Sequence, residues 1–209
     1  MASSGSGGVR ADQRGENRVA RFVTEVLAPR HFVIGLPLAV GAITGGWAGV
    51  GWAAIAALLC GGVPAAVIAA GVRSGRFGNH HITDRSQRPA LIVVIVALVA
   101  LALALLVILG APRVMIACVA VMLATLAVLG PVTLVWKISF HTAVAAGSFV
   151  MLAAVVPAAT AYVVGGLGTA TVGLIGWSRA VLGDHTPAQT LAGAAAGAAA
   201  TWATLAVLL

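Results

Sequence analysis

The chain has 209 residues, 61% of them hydrophobic and only 8% charged, and its 12 Lys and Arg against 5 Asp and Glu leave a formal net charge of +7. A soluble globular domain is excluded, since such domains are about 45–50% apolar and about 25% charged; most of these side chains need lipid as their solvent. The basic residues lie in the N-terminal tail and at the edges of apolar runs, with no aromatic-interleaved basic face, so anionic lipid headgroups and phosphate groups are the expected partners and nucleic acid is not.

Residues 1–16, rich in Gly, Ser and charge, predict a disordered tail and not a signal peptide. Over 17–30 the spacing of Val19, Phe22, Val23, Val26 and Leu27 is helical, while Arg18, Arg21 and Glu25 fall elsewhere on the wheel and Pro29 ends the run. This predicts an amphipathic helix lying in the membrane interface. From His31 to Val72 the apolar run is ~63 Å long as a helix, roughly twice a hydrocarbon core, so it must cross twice. Gly45-Gly46-Trp47 to Gly51-Trp52 supplies the break, with two Trp at interfacial depth.

Further spans are predicted at 90–109, 114–136, 141–158, 160–178 and 187–208, with a kink at Gly130-Pro131. Cys60 and Cys118 lie inside apolar runs and imply neither a disulfide nor a metal framework. Gly193 and Gly197, four apart in an Ala-rich run, predict close approach of a neighbouring helix; a homo-oligomer through such faces is left open. The expected fold is all-α: a single polytopic transmembrane bundle over 31–209 with about six or seven transmembrane helices.

Three polar islands interrupt the apolar chain: Arg85 to Pro89, Lys137-Ile138-Ser139-Phe140-His141, and Ser178-Arg179 followed by His185 and Gln189. Two spans separate each from the next, so all three emerge on one face. Arg10, Arg14, Arg18, Arg21, Arg30, Arg73 and Arg76 share that face and Arg113 lies opposite. The positive-inside rule then places the N-terminus and the islands on the cytoplasmic side of an integral membrane protein of the cell (inner) membrane.

Order and spacing over roughly 81–193 resemble the type 2 phosphatidic acid phosphatase (PAP2) superfamily. Its motifs are a Lys, six residues, then Arg-Pro; Pro-Ser-Gly-His; and Ser-Arg, five residues, His, three residues, Asp. Here they are matched by His81 with Arg88-Pro89, by Ile138-Ser139-Phe140-His141, and by Ser178-Arg179, His185 and Gln189. The resemblance implies a PAP2-like core and a membrane-embedded phosphatase acting on an amphiphilic phosphate from the bilayer, a prenyl phosphate or diphosphate or a lipid phosphate, with no cofactor and no metal.

His185 would be the nucleophile that forms a phosphohistidine, His141 the general acid for the departing oxygen, and Gln189 would stand where an Asp orients the nucleophilic imidazole. Arg88 and Arg179, with Arg85 and His81 as further contacts, would bind the phosphate oxygens. Ser139 would contact phosphate, cap a helix, or both. Asp84 and Asp184 are expected to neutralise arginines.

Three positions depart from the family. His81 in place of Lys makes phosphate affinity pH-dependent, Phe140 in place of Gly adds bulk, and Gln189 in place of Asp can accept a hydrogen bond but carries no charge. Two alternatives therefore stand beside hydrolysis: a lipid phosphotransferase of the same fold, or a catalytically impaired relative that binds lipid phosphates.

Overall fold

A computed structural model describes residues 17–74 and 88–209, without the side chains of residues 72 and 88–91. The predicted tail, His81 and Arg85 lie outside the described residues. Among those described the chain forms α1 (17–26), α2 (Pro29–Ala57), α3 (Val63–Arg73), α4 (Arg88–Ile108), α5 (Arg113–Val135), α6 (Phe140–Ala154), α7 (Ala158–Val181) and α8 (Pro187–Leu208), with a π-helical stretch at Leu58–Gly62 joining α2 to α3. The protein is an all-helical bundle. Four runs are long and apolar enough to cross a membrane, Asn17–Gly71, Arg113–Val135, Ala158–Val181 and Pro187–Leu208, and Ile92–Ile108 and Phe140–Ala154 are shorter apolar helices.

The first of those runs is not one rod. It bends at residues 27 and 28, and within α2 Gly46 takes φ 54° and ψ −140°, a conformation open to glycine and closed to residues with a Cβ. The two arms fold back on each other. A Cβ on Gly41 would meet the Gly49 carbonyl and Ala53, and one on Gly61 would meet the Ile34 side chain, so backbone touches backbone near the turn and side chain deeper in. Trp47, 91% exposed, marks the turn.

α5 remains one helix through Pro131 to Val135, where the sequence predicts a kink. α6 spans only 15 residues, ending at Ala154 rather than 158, and packs against α8, α7 and α2. Small residues allow this. A Cβ on Gly193 would strike the Ser139 carbonyl and Thr142, and one on Gly197 the Ala143 carbonyl, so α8 lies directly on the backbone of α6.

α1 shows two apolar faces rather than the single stripe of its wheel. Ala20, Val23 and Thr24 are buried against the bundle, whereas Val19, Phe22 and Val26 point outward, Phe22 at 68% exposure. The outward stripe, flanked by exposed Arg18 and Arg21, suits a lipid interface.

Candidate active site

The segment from Ser178 to Gln189 is shaped by two helix caps in succession. Gly183 has φ 68° and closes α7 in a Schellman motif: Gly183 N–H donates to Ala180 O at 3.0 Å and Asp184 N–H to Arg179 O at 3.0 Å. Three residues later Thr186 opens α8 in a capping box, its hydroxyl accepting from Gln189 N–H at 3.3 Å while Gln189 Oε1 accepts from Thr186 N–H at 3.0 Å, with Pro187 at the first helical position. His185 is held between the caps.

The first cap also places Asp184 over the helix it terminates. Its carboxylate lies 3.0 Å from Arg179 Nη1, so the acid neutralises the arginine as the sequence predicts. Arg179 is only 9% exposed, and its Nε is buried without a hydrogen-bond partner among the described residues. A guanidinium donor left open in this way is suited to an anion's oxygen.

The island at 137–141 meets this segment edge to edge. A three-residue turn, closed by Ile138 N–H to Trp136 O at 2.7 Å, precedes Ser139, whose N–H donates to Gln189 O at 3.2 Å. Ser139 caps α6 through Thr142 N–H, a contact at the 3.5 Å limit, and is wholly buried. Thr142 Oγ1 then donates to Thr190 O at 2.7 Å, fastening the first turn of α6 to the first turn of α8. His141 lies in that first turn, half-buried, with its Nε2 shielded from solvent.

One contact orients the ring of His185. Its Nδ1 lies 3.0 Å from the Lys137 carbonyl, which can only accept, so Nδ1 carries a proton and, in the neutral ring, Nε2 keeps its lone pair. Partial burial holds the imidazole below the usual histidine range; the charges of Arg179 and Lys137 push the same way, opposed by the Lys137 carbonyl and the Gln189 side chain. The balance favours the neutral ring.

Gln189, expected to orient this imidazole, shares its side chain between the cap of α8 and His185, and the backbone carbonyl of Lys137 accepts the imidazole proton. Arg88 begins α4. Its backbone lies at the same end of the bundle, because Ile92, one turn further on, reaches to 3.8 Å from where a Cβ on Gly130 of α5 would stand. The backbone thus gathers Arg88 and the two later islands at one end, where Trp136 and Trp177 are also exposed.

Several contributors were not read from the sequence. Thr24 Oγ1 lies 3.1 Å from Ser178 Oγ in a buried contact. Ser178 spends its own proton on Ile175 O at 2.8 Å, so Thr24 is the donor, and α1 is pinned beside Arg179. The signal lay in the position of Thr24, four residues after Ala20 on the inward face. Thr142 and Thr190 carried no signal beyond being polar in an apolar run. No protein-family model, curated protein or solved structure matches this chain.

Proposed function

We propose that this chain is a membrane-embedded phosphatase that hydrolyses an amphiphilic phosphate, a prenyl phosphate or diphosphate or a lipid phosphate, as its resemblance to the type 2 phosphatidic acid phosphatases implies. His185 Nε2 attacks phosphorus, an N–P bond forms as the P–O bond to the leaving group breaks, and His141 gives the departing oxygen its proton. Water then attacks the phosphohistidine, releasing inorganic phosphate and restoring the imidazole. Arg179, with Arg88 from α4, neutralises the oxygens of the transferred group.

The observation that carries this reading is the His185 Nδ1–H contact to Lys137 O, which leaves Nε2 as the ring nitrogen free of that bond and comes from a second island. In this reading the two arms of α2 with α3, and α4 through α8, make seven crossings. The N-terminus and the site then face the cytoplasm.

Incubating purified protein with prenyl and lipid phosphates tests it. Wild type should release phosphate and carry an acid-labile phosphoryl label, and His185→Ala should abolish both; release that survives His185→Ala sinks the proposal. The neutral Gln189 at the position of an orienting carboxylate favours a second reading, a relative that binds lipid phosphate without turning it over. Vanadate binding lost in His185→Ala, with no phosphate release in wild type, would select it.

A further inference from the structure

A slot between α2, α4, α5, α6 and α8 is walled by Val33, Leu36, Val99, Met122, Phe140 and Val144. Phe140 stands between Ser139 and His141 in the chain, so one residue belongs both to the polar island and to the slot. From Phe140 to Ser148, which also lines it, α6 rises about 12 Å.

The wall is apolar even where its sequence is not. Thr125 Oγ1 donates to Val121 O at 2.8 Å and Ser148 Oγ to Val144 O at 2.7 Å, so both hydroxyls turn back onto their own helices. Thr201 Oγ1 is turned toward α6, where a Cβ on Gly147 would lie 2.7 Å away. Beyond the Thr201 hydroxyl, buried and unpartnered among the described residues, the slot offers nothing polar, and it disfavours the phosphate itself.

Size limits what can enter. The centre of a water-sized sphere has about 90 Å³ available, and counting its open side the empty space is about 580 Å³. In that first measure a water takes ~10–15 Å³, so the enclosed part holds about 6–9 water-sized groups. That is room for a stretch of one hydrocarbon chain and not for the pair on a diacylated glycerol.

We propose that this slot takes the apolar tail of the substrate, so that the chain acts on single-chain phosphates, alkyl or prenyl, in preference to diacyl phosphates. The proposal rests on the phosphatase reading for the position of the headgroup. With phosphate at Arg179 and His185, the first carbons pass Phe140 and the rest of the tail enters the bundle instead of staying among lipid tails. Phe140, at the position the resembled motif gives to glycine, becomes the wall that turns the chain inward.

Photolabelling tests it on the full chain in detergent micelles, using dodecyl phosphate with a diazirine at its far end. Label is expected on Val99, Met122 and Leu126, and should be competed by dodecyl or farnesyl phosphate but not by dodecanol. Label on the outward faces of α7 and α8, at Tyr162 or Leu191, or equal competition by dodecanol, overturns the proposal. Dioleoyl phosphatidate competing as well as dodecyl phosphate overturns its single-chain preference.

Met122→Trp, which fills the slot, should lower the ratio of kcat/KM for dodecyl over butyl phosphate at least ~10-fold, the loss of about two buried methylenes. An unchanged ratio counts against the slot. Slot labelling without phosphate release would end the phosphatase reading and leave the tail site standing; release without slot labelling would do the reverse.

Discussion

Replacing Gly193 by Ala places one methyl where α8 lies on α6, and its consequences can be followed to the site. The new carbon would strike the Ser139 carbonyl and stand 2.7 Å from Thr142 Oγ1, where a carbon and an oxygen need about 3.3–3.6 Å. α8 must withdraw by roughly 1 Å. The Thr142 Oγ1 to Thr190 O bond, now 2.7 Å, and the Ser139 N to Gln189 O bond, now 3.2 Å, then exceed hydrogen-bonding range. Overpacking costs about 1–3 kcal/mol and the two bonds about 2 kcal/mol together, offset by ~1 kcal/mol of helix propensity. A net loss of roughly 2–4 kcal/mol lowers the thermal midpoint by about 4–16 °C in a chain of this size.

Because those two bonds join the islands that carry His141 and His185, phosphate release should fall ~100-fold, the usual effect of a 1 Å misplacement. Thermal unfolding in detergent and phosphate release on a prenyl phosphate read the two effects. Gly165→Ala serves as the control, since no atom lies within 4 Å of an added Cβ there, and it should leave the midpoint unchanged or raised. Wild-type values of both quantities in Gly193→Ala would refute the close-contact account.

Three further outcomes follow from the site. His185 binds a proton less readily folded than unfolded, so kcat/KM should hold below pH 6.5 and fall only as pH drops through the lowered value, with stability also declining on the acid side; Lys137→Gln should move the limb upward, and a limb above 6.5 in wild type would contradict the burial account. Gly183→Ala forces a side chain into φ 68°, which should cost about 1–2 kcal/mol in denaturant titration and displace Asp184 from Arg179, measurable as lost phosphate release. Thr24→Val removes the proton given to Ser178 and should cost about 1 kcal/mol and speed hydrogen exchange in residues 18–26, whereas Thr24→Ser should restore protection.

What could be read from the chain depended on whether the signal was carried by side chains. α8 opens where Thr186, Pro187 and Gln189 supply a cap, a first-turn proline and a capping box, and the reversal at Gly46 is written in a glycine pair followed by tryptophan. The end of α6 was harder to place, because a helix apolar on every side offers no period to count; the break came at Val155–Pro157, where proline removes a donor.

The partner of His185 was invisible for a different reason. It is a backbone carbonyl, and any residue at 137 would supply one. Gln189 was legible as a helix-start glutamine and as a replacement for an orienting carboxylate, and in the fold its side chain meets both Thr186 N–H and His185. The inward face of α1 was hidden because Ala20 and Thr24 are small, and a wheel drawn on hydrophobicity favours Val19, Phe22 and Val26, which the fold turns outward.

The brevity of α6 reaches beyond packing. Fifteen residues rise about 22 Å, some 8 Å less than a ~30 Å hydrocarbon layer, so α6 alone cannot join the two faces of such a layer. At least one of its ends must then lie below the surface of a bilayer that thick, roofed by the longer helices α5, α7 and α8 around it.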